Sequence, residues 1–267
     1  MNKNFNTYVI NVKINTDRLE FMTGQLDNLK ISFETFYGIY GVEHDFTGIY
    51  DDELSKKVNG RSMNKGEQGC ALSHKICIEK ILNGKENYGL ILEDDVQMPE
   101  NFKEVIEKEI EKNKKNKKWD YLLFDYPEPG VYFIKHWVST IILNYRKNNF
   151  SIVKSFNFIS YSILKSFYII PLSLLEGARN YMYKTFKIGG PVKFLRPLYF
   201  AGAYLISKEG ARKLLDVNKK LVYPADKLPN IAKNKTNLKF YGYSPISVFQ
   251  KRSAFISGIH NDSAYKK

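Results

Sequence analysis

The strongest constraint on this chain is an alternation of short strand-like runs with longer segments of helical spacing. "TYVINV" (Thr7 to Val12) is rich in β-branched and aromatic residues and reads as a first strand. Thr16–Asp17 then offers a helix cap, with Leu19, Met22 and Leu26 spaced for one apolar face. "ISFETFYGIYG" reads as a second strand closed by glycines. In "KGEQGCALSHKICIEKILNG", Cys70, Ser73, His74, Cys77 and Ile81 recur at helical spacing until Gly84. "YGLILE" is the next strand, and a helix from Pro99 onward ends in "KNKKNKK", where lysines suit the negative end of the helix dipole. "WDYLLFDY" and "YFAGAYLIS" are strands again. Ser207 caps the helix "KEGARKLLD", "VYPADKLPN" reads as a loop, and "NLKFYGYSPISVFQ" supplies a last strand with its turn. This pattern specifies an α/β fold with a central sheet flanked by helices. The 267 residues divide into residues 1–129 and 200–267, which make up that domain, and an insertion at 130–199.

"GLILEDDV" (Gly89 to Val96) ends an apolar strand in three adjacent acids, Glu93, Asp94 and Asp95. Like charges this close need a cation, a protein donor or solvent to compensate them. Hard divalent ions such as Mn²⁺ and Mg²⁺ take carboxylate oxygens and bridge to diphosphate oxygens. Glu93 and Asp95 fit an acid–x–acid clamp, with Asp94 as a further ligand or a structural acceptor. The carboxyl ends of strands are where open α/β sheets bind ligands. A solvated loop, or acids favoured ahead of the next helix, is the alternative reading at this point.

The insertion carries most of the charge. From Gly130 to Tyr199 there are ten Lys/Arg and one acid, so nine of the thirteen net positive charges lie here, with 15 of the 39 aromatics. On a helix, Lys147, Ser151, Lys154, Ser155, Ser162 and Lys165 fall in one arc, and Ile152, Val153, Phe156, Ile159 and Ile163 outside it. Such a basic amphipathic helix suits an anionic membrane surface. A helical subdomain with its own aromatic core, or a dimer interface, is the alternative; oligomeric state is not legible. Lys165 and Pro171 interrupt the apolar run from Phe158 to Leu175, which argues against a spanning segment. The first residues lack a signal-peptide pattern, so a cytoplasmic location is expected. Cys70 and Cys77 on one helix stand ~10 Å apart along its axis, too far for a disulfide.

Taken in order, "YVINVKINTDRLEFMTGQL", "GEQGCALSH", "ILEDDV", "AGAYLISKEGARKLL", "YPAD" and "SPISVFQKRSAFIS" resemble glycosyltransferase family 25. The resemblance covers the chain apart from the insertion. It departs at Cys77, where a tryptophan is expected, and at "IYGVEH", which replaces an Asp–Gly ending. It implies a GT-A-like fold, a UDP-sugar donor, Mn²⁺ or Mg²⁺, and inversion at the anomeric carbon. By the same resemblance Asp226 is the candidate catalytic base, with Asp125 as runner-up. Arg18, Glu67, Ser73, His74, Asp94, Gly202, Ala203 and Gln250 become donor-binding candidates, and Glu93, Asp95 and His260 metal candidates. The implied reaction transfers a hexose, with galactose from UDP-galactose expected, to a lipooligosaccharide or other bacterial surface glycan. With the basic insertion, the expected place is the cytosolic face of the inner membrane. A non-enzymatic nucleic-acid-binding protein or membrane adaptor is the competing class. Against nucleic acid stand three clustered acids and the absence of an RRM or zinc-finger signature.

Overall fold

A computed structural model of the chain describes residues 4–126, 190–193, 197–244 and 248–250. The expected amphipathic helix at 147–166 and the metal candidate His260 lie outside the described residues. The chain divides into two units, and every element below belongs to the one made of Met1–Tyr126, Ile188–Val192 and Leu198–Lys267.

The elements run β1 (Asn6–Asn11), α1 (Thr16–Asn28), β2 (Glu34–Tyr37), α2 (Asp52–Asn59), α3 (Lys65–Asn83), β3 (Tyr88–Glu93), β4 (Val96–Gln97) and α4 (Phe102–Asn116). They continue with β5 (Tyr121–Leu123), β6 (Gly190–Val192), β7 (Ala203–Ser207), α5 (Lys208–Val217), α6 (Leu228–Thr236), β8 (Phe240–Ser244) and β9 (Phe249–Gln250). Seven strands form a mixed sheet in the order β2-β1-β3-β7-β5-β8-β6. β7 and β6 run antiparallel to their neighbours, and the other adjacent pairs are parallel. β4 and β9 pair as a separate two-stranded ribbon.

The period of two along each strand decides what lies on each face. Leu90 and Leu92 of β3, Leu122 and Phe124 at β5, and Leu205 of β7 pack with Met22 and Leu26 of α1 and Phe102, Ile106 and Ile110 of α4. Residues of opposite parity meet α3: a side chain at Gly89 would collide with Ile81, and Tyr204 contacts His74. α3 packs in turn on α5, and α5 on α6. Helices therefore cover both faces of the sheet, as the alternation implied.

Local capping explains where the helices begin. Asn64 and Glu67 form a reciprocal capping box on α3, and the Ser207 hydroxyl accepts from the Gly210 N–H at α5. α1 begins at Thr16, but Asn15 is its cap residue and makes no side-chain cap bond. Two helices were not anticipated. α2 is a short polar helix capped by Asp51, and α6 starts inside the expected loop, with Pro229 in its first turn. Both are too short and polar for apolar periodicity to reveal. β6 is the second difference: residues 190–192, counted with the insertion, pair with β8 as the sheet's edge strand. Among the described residues, no helix is long and apolar enough to cross a membrane.

Candidate active site

β1, β3 and β5 bring their carboxyl ends to one edge, where the start of β7 lies between β3 and β5. The three consecutive acids separate there. Asp94 has the parity of Leu90 and Leu92 and turns toward α1. Its carboxylate accepts from Arg18 Nη1 at 2.8 Å and from Asn11 Nδ2 at 2.9 Å. Arg18 is 8% exposed, so this is a buried ion pair rather than a surface one. Burial pushes the Asp94 carboxyl up, and Arg18 and Asn11 pull it back. Arg18 Nη1 also lies 4.0 Å from Asp95 Oδ2.

Glu93 has the other parity and faces α3. Its Oε1 lies 3.3 Å from His74 Nε2, and its Oε2 accepts from Gln250 Nε2 at 3.5 Å. His74 is buried, with Nδ1 2.9 Å from the Tyr204 hydroxyl, and the Tyr204 ring stacks on Tyr121 at 4.5 Å. Gly202 ties the two acidic strand ends together. Its N–H donates to Asp125 Oδ2 at 2.8 Å, and its carbonyl accepts from the Glu93 N–H at 2.7 Å. A Cβ at position 202 would lie 2.5 Å from Asp125 Oδ2 and 2.8 Å from Gln250 Nε2, so a side chain here would have to displace one or both of them. Ala203 instead points its methyl into the core on the α4 side.

Asp125 is 3% exposed, and its Oδ1 has no hydrogen-bond partner among the described residues. Burial, and next the charge of Glu93, push its carboxyl well above the ordinary value. Asp226, on the turn before α6, is half-buried. Burial raises it as well, Glu93 adds to the effect, and the Lys227 N–H opposes it. Cys70 Sγ lies in the field of Glu93 and Asp226; desolvation foremost, then those charges, push the thiol well up.

Two candidates have structural partners. Ser73 Oγ accepts from the Ile39 N–H at 2.8 Å and donates to the Gly69 carbonyl at 2.7 Å, fastening the loop after β2 to α3. Glu67 is engaged by the Asn64 N–H and by the two terminal guanidinium nitrogens of Arg61. A groove of about 560 Å³ lined by Asp45, Tyr50, Asp52 and Gln68 also opens here. Its acids are already bonded, Asp45 to Thr47 and Asp52 to Tyr50 and Lys56, so the strand-end cluster is the stronger candidate.

The donor set suits a hard divalent cation at Glu93 and Asp95. Both are oxygen ligands, and their side chains remain 26% and 20% exposed at the sheet edge. The sulfur of Cys70 is too soft a ligand for such an ion. Sequence reading missed Asn11 and Tyr204. Each is the polar partner of an anticipated residue, and only the "AGAY" block offered any signal for Tyr204.

The family model for glycosyltransferase family 25 (LPS biosynthesis protein) matches residues 4–229. The chain belongs to that family. A Haemophilus influenzae protein with a provisional glycosyltransferase name is 35% identical over 107 residues, 38% of this chain and 36% of its own length. A glycosyltransferase 25 family member from Aedes aegypti is 27% identical over 128 residues, 44% of this chain and 20% of the relative. An Acanthamoeba polyphaga mimivirus protein, also provisionally named a glycosyltransferase, is 36% identical over 112 residues, covering 40% and 33%. The matches thus span about a third or less of these relatives. Glu93, Asp94, Asp95, Asp125, Gly202 and Asp226 all lie within the residues that the family model matches.

Proposed function

We propose that this family 25 protein is a metal-dependent, inverting hexosyltransferase with a GT-A-like arrangement. Its donor is UDP-galactose and its acceptor a lipooligosaccharide or related surface glycan. The observation that carries the reading is the division of the acids. Asp94 is spent on Arg18 and Asn11, whereas Glu93 and Asp95 keep partly exposed carboxylates at the sheet edge. An ion held there by Glu93 and Asp95 would supply Lewis-acid neutralisation of the departing nucleoside diphosphate.

The protein groups divide the remaining work. The Arg18–Asp94–Asn11 network holds the end of β3 in register. Gly202 ties Asp125 to the end of β3 through its N–H and its carbonyl, which fixes the two acids relative to each other. Asp226 is the base. Its raised carboxyl makes it a better proton acceptor than an ordinary aspartate, and its partial exposure leaves it reachable by an acceptor hydroxyl. Asp125, buried and with its carboxyl pushed up by burial and by Glu93, is the runner-up for that role. The basic insertion at 130–199 would bring the enzyme to the anionic cytosolic membrane face where a lipid-linked acceptor lies.

The test is Mn²⁺-dependent hydrolysis and transfer across a panel of UDP-hexoses, comparing the parent with Asp95→Ala and Asp226→Asn. Turnover of UDP-galactose, abolished by chelator and by Asp95→Ala, is expected. Asp226→Asn should lower kcat about 10²–10⁴-fold and leave UDP binding intact. Absence of both turnover and metal-dependent UDP binding in the parent would refute the reading.

A further inference from the structure

The hexosyltransferase reading takes Glu93 with Asp95 and leaves a neighbouring arrangement unused. Cys70, His74 and Glu93 each offer one donor atom, and the three atoms lie within 4.8 Å of one another. Cys70 and His74 are i and i+4 on α3, so they leave the helix on one face, and Glu93 meets them from the end of β3. The Tyr204 hydroxyl holds His74 Nδ1 at 2.9 Å and leaves Nε2 toward Glu93, 3.3 Å from Oε1. Fixing one ring nitrogen so that the other is aimed is how proteins orient an imidazole ligand.

The dimensions suit a tetrahedral ion. With zinc bonds of ~2.0–2.3 Å, adjacent donors stand ~3.3–3.8 Å apart. The His74–Glu93 separation of 3.3 Å already has that length. The outer limit of 4.8 Å asks the remaining edges to close by no more than about 1–1.5 Å, within reach of side-chain rotation. The donor chemistry differs from the Glu93–Asp95 pair: sulfur and imidazole favour zinc-class ions, whereas two carboxylates favour Mn²⁺ or Mg²⁺.

We propose that Cys70, His74 and Glu93 form a second, thiophilic metal site for a zinc-class divalent cation, which excludes the hard cation because both sites need Glu93. On binding, the Cys70 S–H bond breaks as the sulfur–metal bond forms, and the proton leaves to solvent; no oxidant or reductant takes part. Zinc is therefore an inhibitor competitive with Mn²⁺. That inhibition rests on the proposed transferase activity; the binding itself does not.

The experiment uses the full chain, reduced, titrated with Zn²⁺ against a chromophoric chelator. A parallel titration with Co²⁺ reads thiolate coordination as a charge-transfer band in the near ultraviolet. Parent, Cys70→Ser and Cys77→Ser are compared after circular dichroism shows that each is folded. Cys77 lies seven residues further along α3, ~10 Å up the axis, and serves as the control thiol. One zinc per chain is expected, with the cobalt band in parent and Cys77→Ser. Cys70→Ser should lose the band and bind zinc at least tenfold more weakly. A band missing from the parent, surviving in Cys70→Ser, or lost in Cys77→Ser overturns the site. In the donor-hydrolysis assay, Mn²⁺ should relieve zinc inhibition of the parent. Zinc inhibition that Mn²⁺ does not relieve overturns the sharing of Glu93. A parent that shows no turnover with Mn²⁺ even before zinc is added counts against the transferase reading alone, since the cobalt and zinc titrations need no turnover.

Discussion

Replacing Gly202 with alanine tests the geometry of the site without touching a charged group. The added Cβ would lie 2.5 Å from Asp125 Oδ2, 2.8 Å from Gln250 Nε2 and 3.2 Å from Val96 Cγ1. The backbone at 202 has little freedom to retreat, because its N–H is bonded to Asp125 and its carbonyl to the Glu93 N–H. Asp125 must therefore move within a buried pocket and give up the Gly202 bond. Overpacking of this kind costs about 1–3 kcal/mol, and an unsatisfied buried polar group about 1–3 kcal/mol more. The sum is about 2–6 kcal/mol, and at about 2–4 °C per kcal/mol for a chain of this size Tm should fall by about 4–24 °C. Gly24, exposed on α1, is the matched control: a Cβ there meets nothing within 4 Å. Gly24→Ala should be neutral or stabilising by up to about 1 kcal/mol. Thermal unfolding followed by far-ultraviolet circular dichroism reads both. A Gly202→Ala protein melting within a degree of the parent, or a Gly24→Ala protein equally destabilised, would refute the packing argument.

The Arg18–Asp94 pair is buried, so Arg18→Ala leaves an uncompensated carboxylate and should cost about 3–5 kcal/mol in urea unfolding. Asp94→Ala added to it should cost much less than it does alone, and full additivity would mean that the two residues do not act as a pair. Asp125 gives a pH signature. Its folded value is raised, so the native state holds the proton more tightly than the unfolded chain. Its stabilisation is present below the ordinary carboxylate range and is lost as pH rises from there toward the folded value. Asp125→Asn should flatten that decline in urea midpoints taken across a pH series; an unchanged slope would mean that Asp125 is not the group responsible.

Much of the fold is legible because it is local. The α3 helix, the β3 strand and the Ser207 cap each depend on residues within a few positions of one another, and each lies where its pattern indicates. The elements missed, α2 and α6, are polar and short, so burial on one face leaves too few apolar residues to mark a period. For the site, sequence singled out Glu93, Asp94 and Asp95 as a group. It had no means of assigning different partners to them, because those partners come from elsewhere in the chain.

By itself, then, the sequence determined the strand–helix alternation, the acidic end of β3 and membership of family 25. Tertiary structure alone decided that Asp94 belongs to Arg18, 76 residues away, and Glu93 to His74 and to Gln250, 157 residues away. It also decided that residues 190–192 close the sheet edge and that Gly202 sits against Asp125 and Gln250. The physical reason is that helix spacing, strand alternation and capping are short-range properties of neighbours in the chain. Which charge meets which depends on how strand parity and sheet order bring distant segments together.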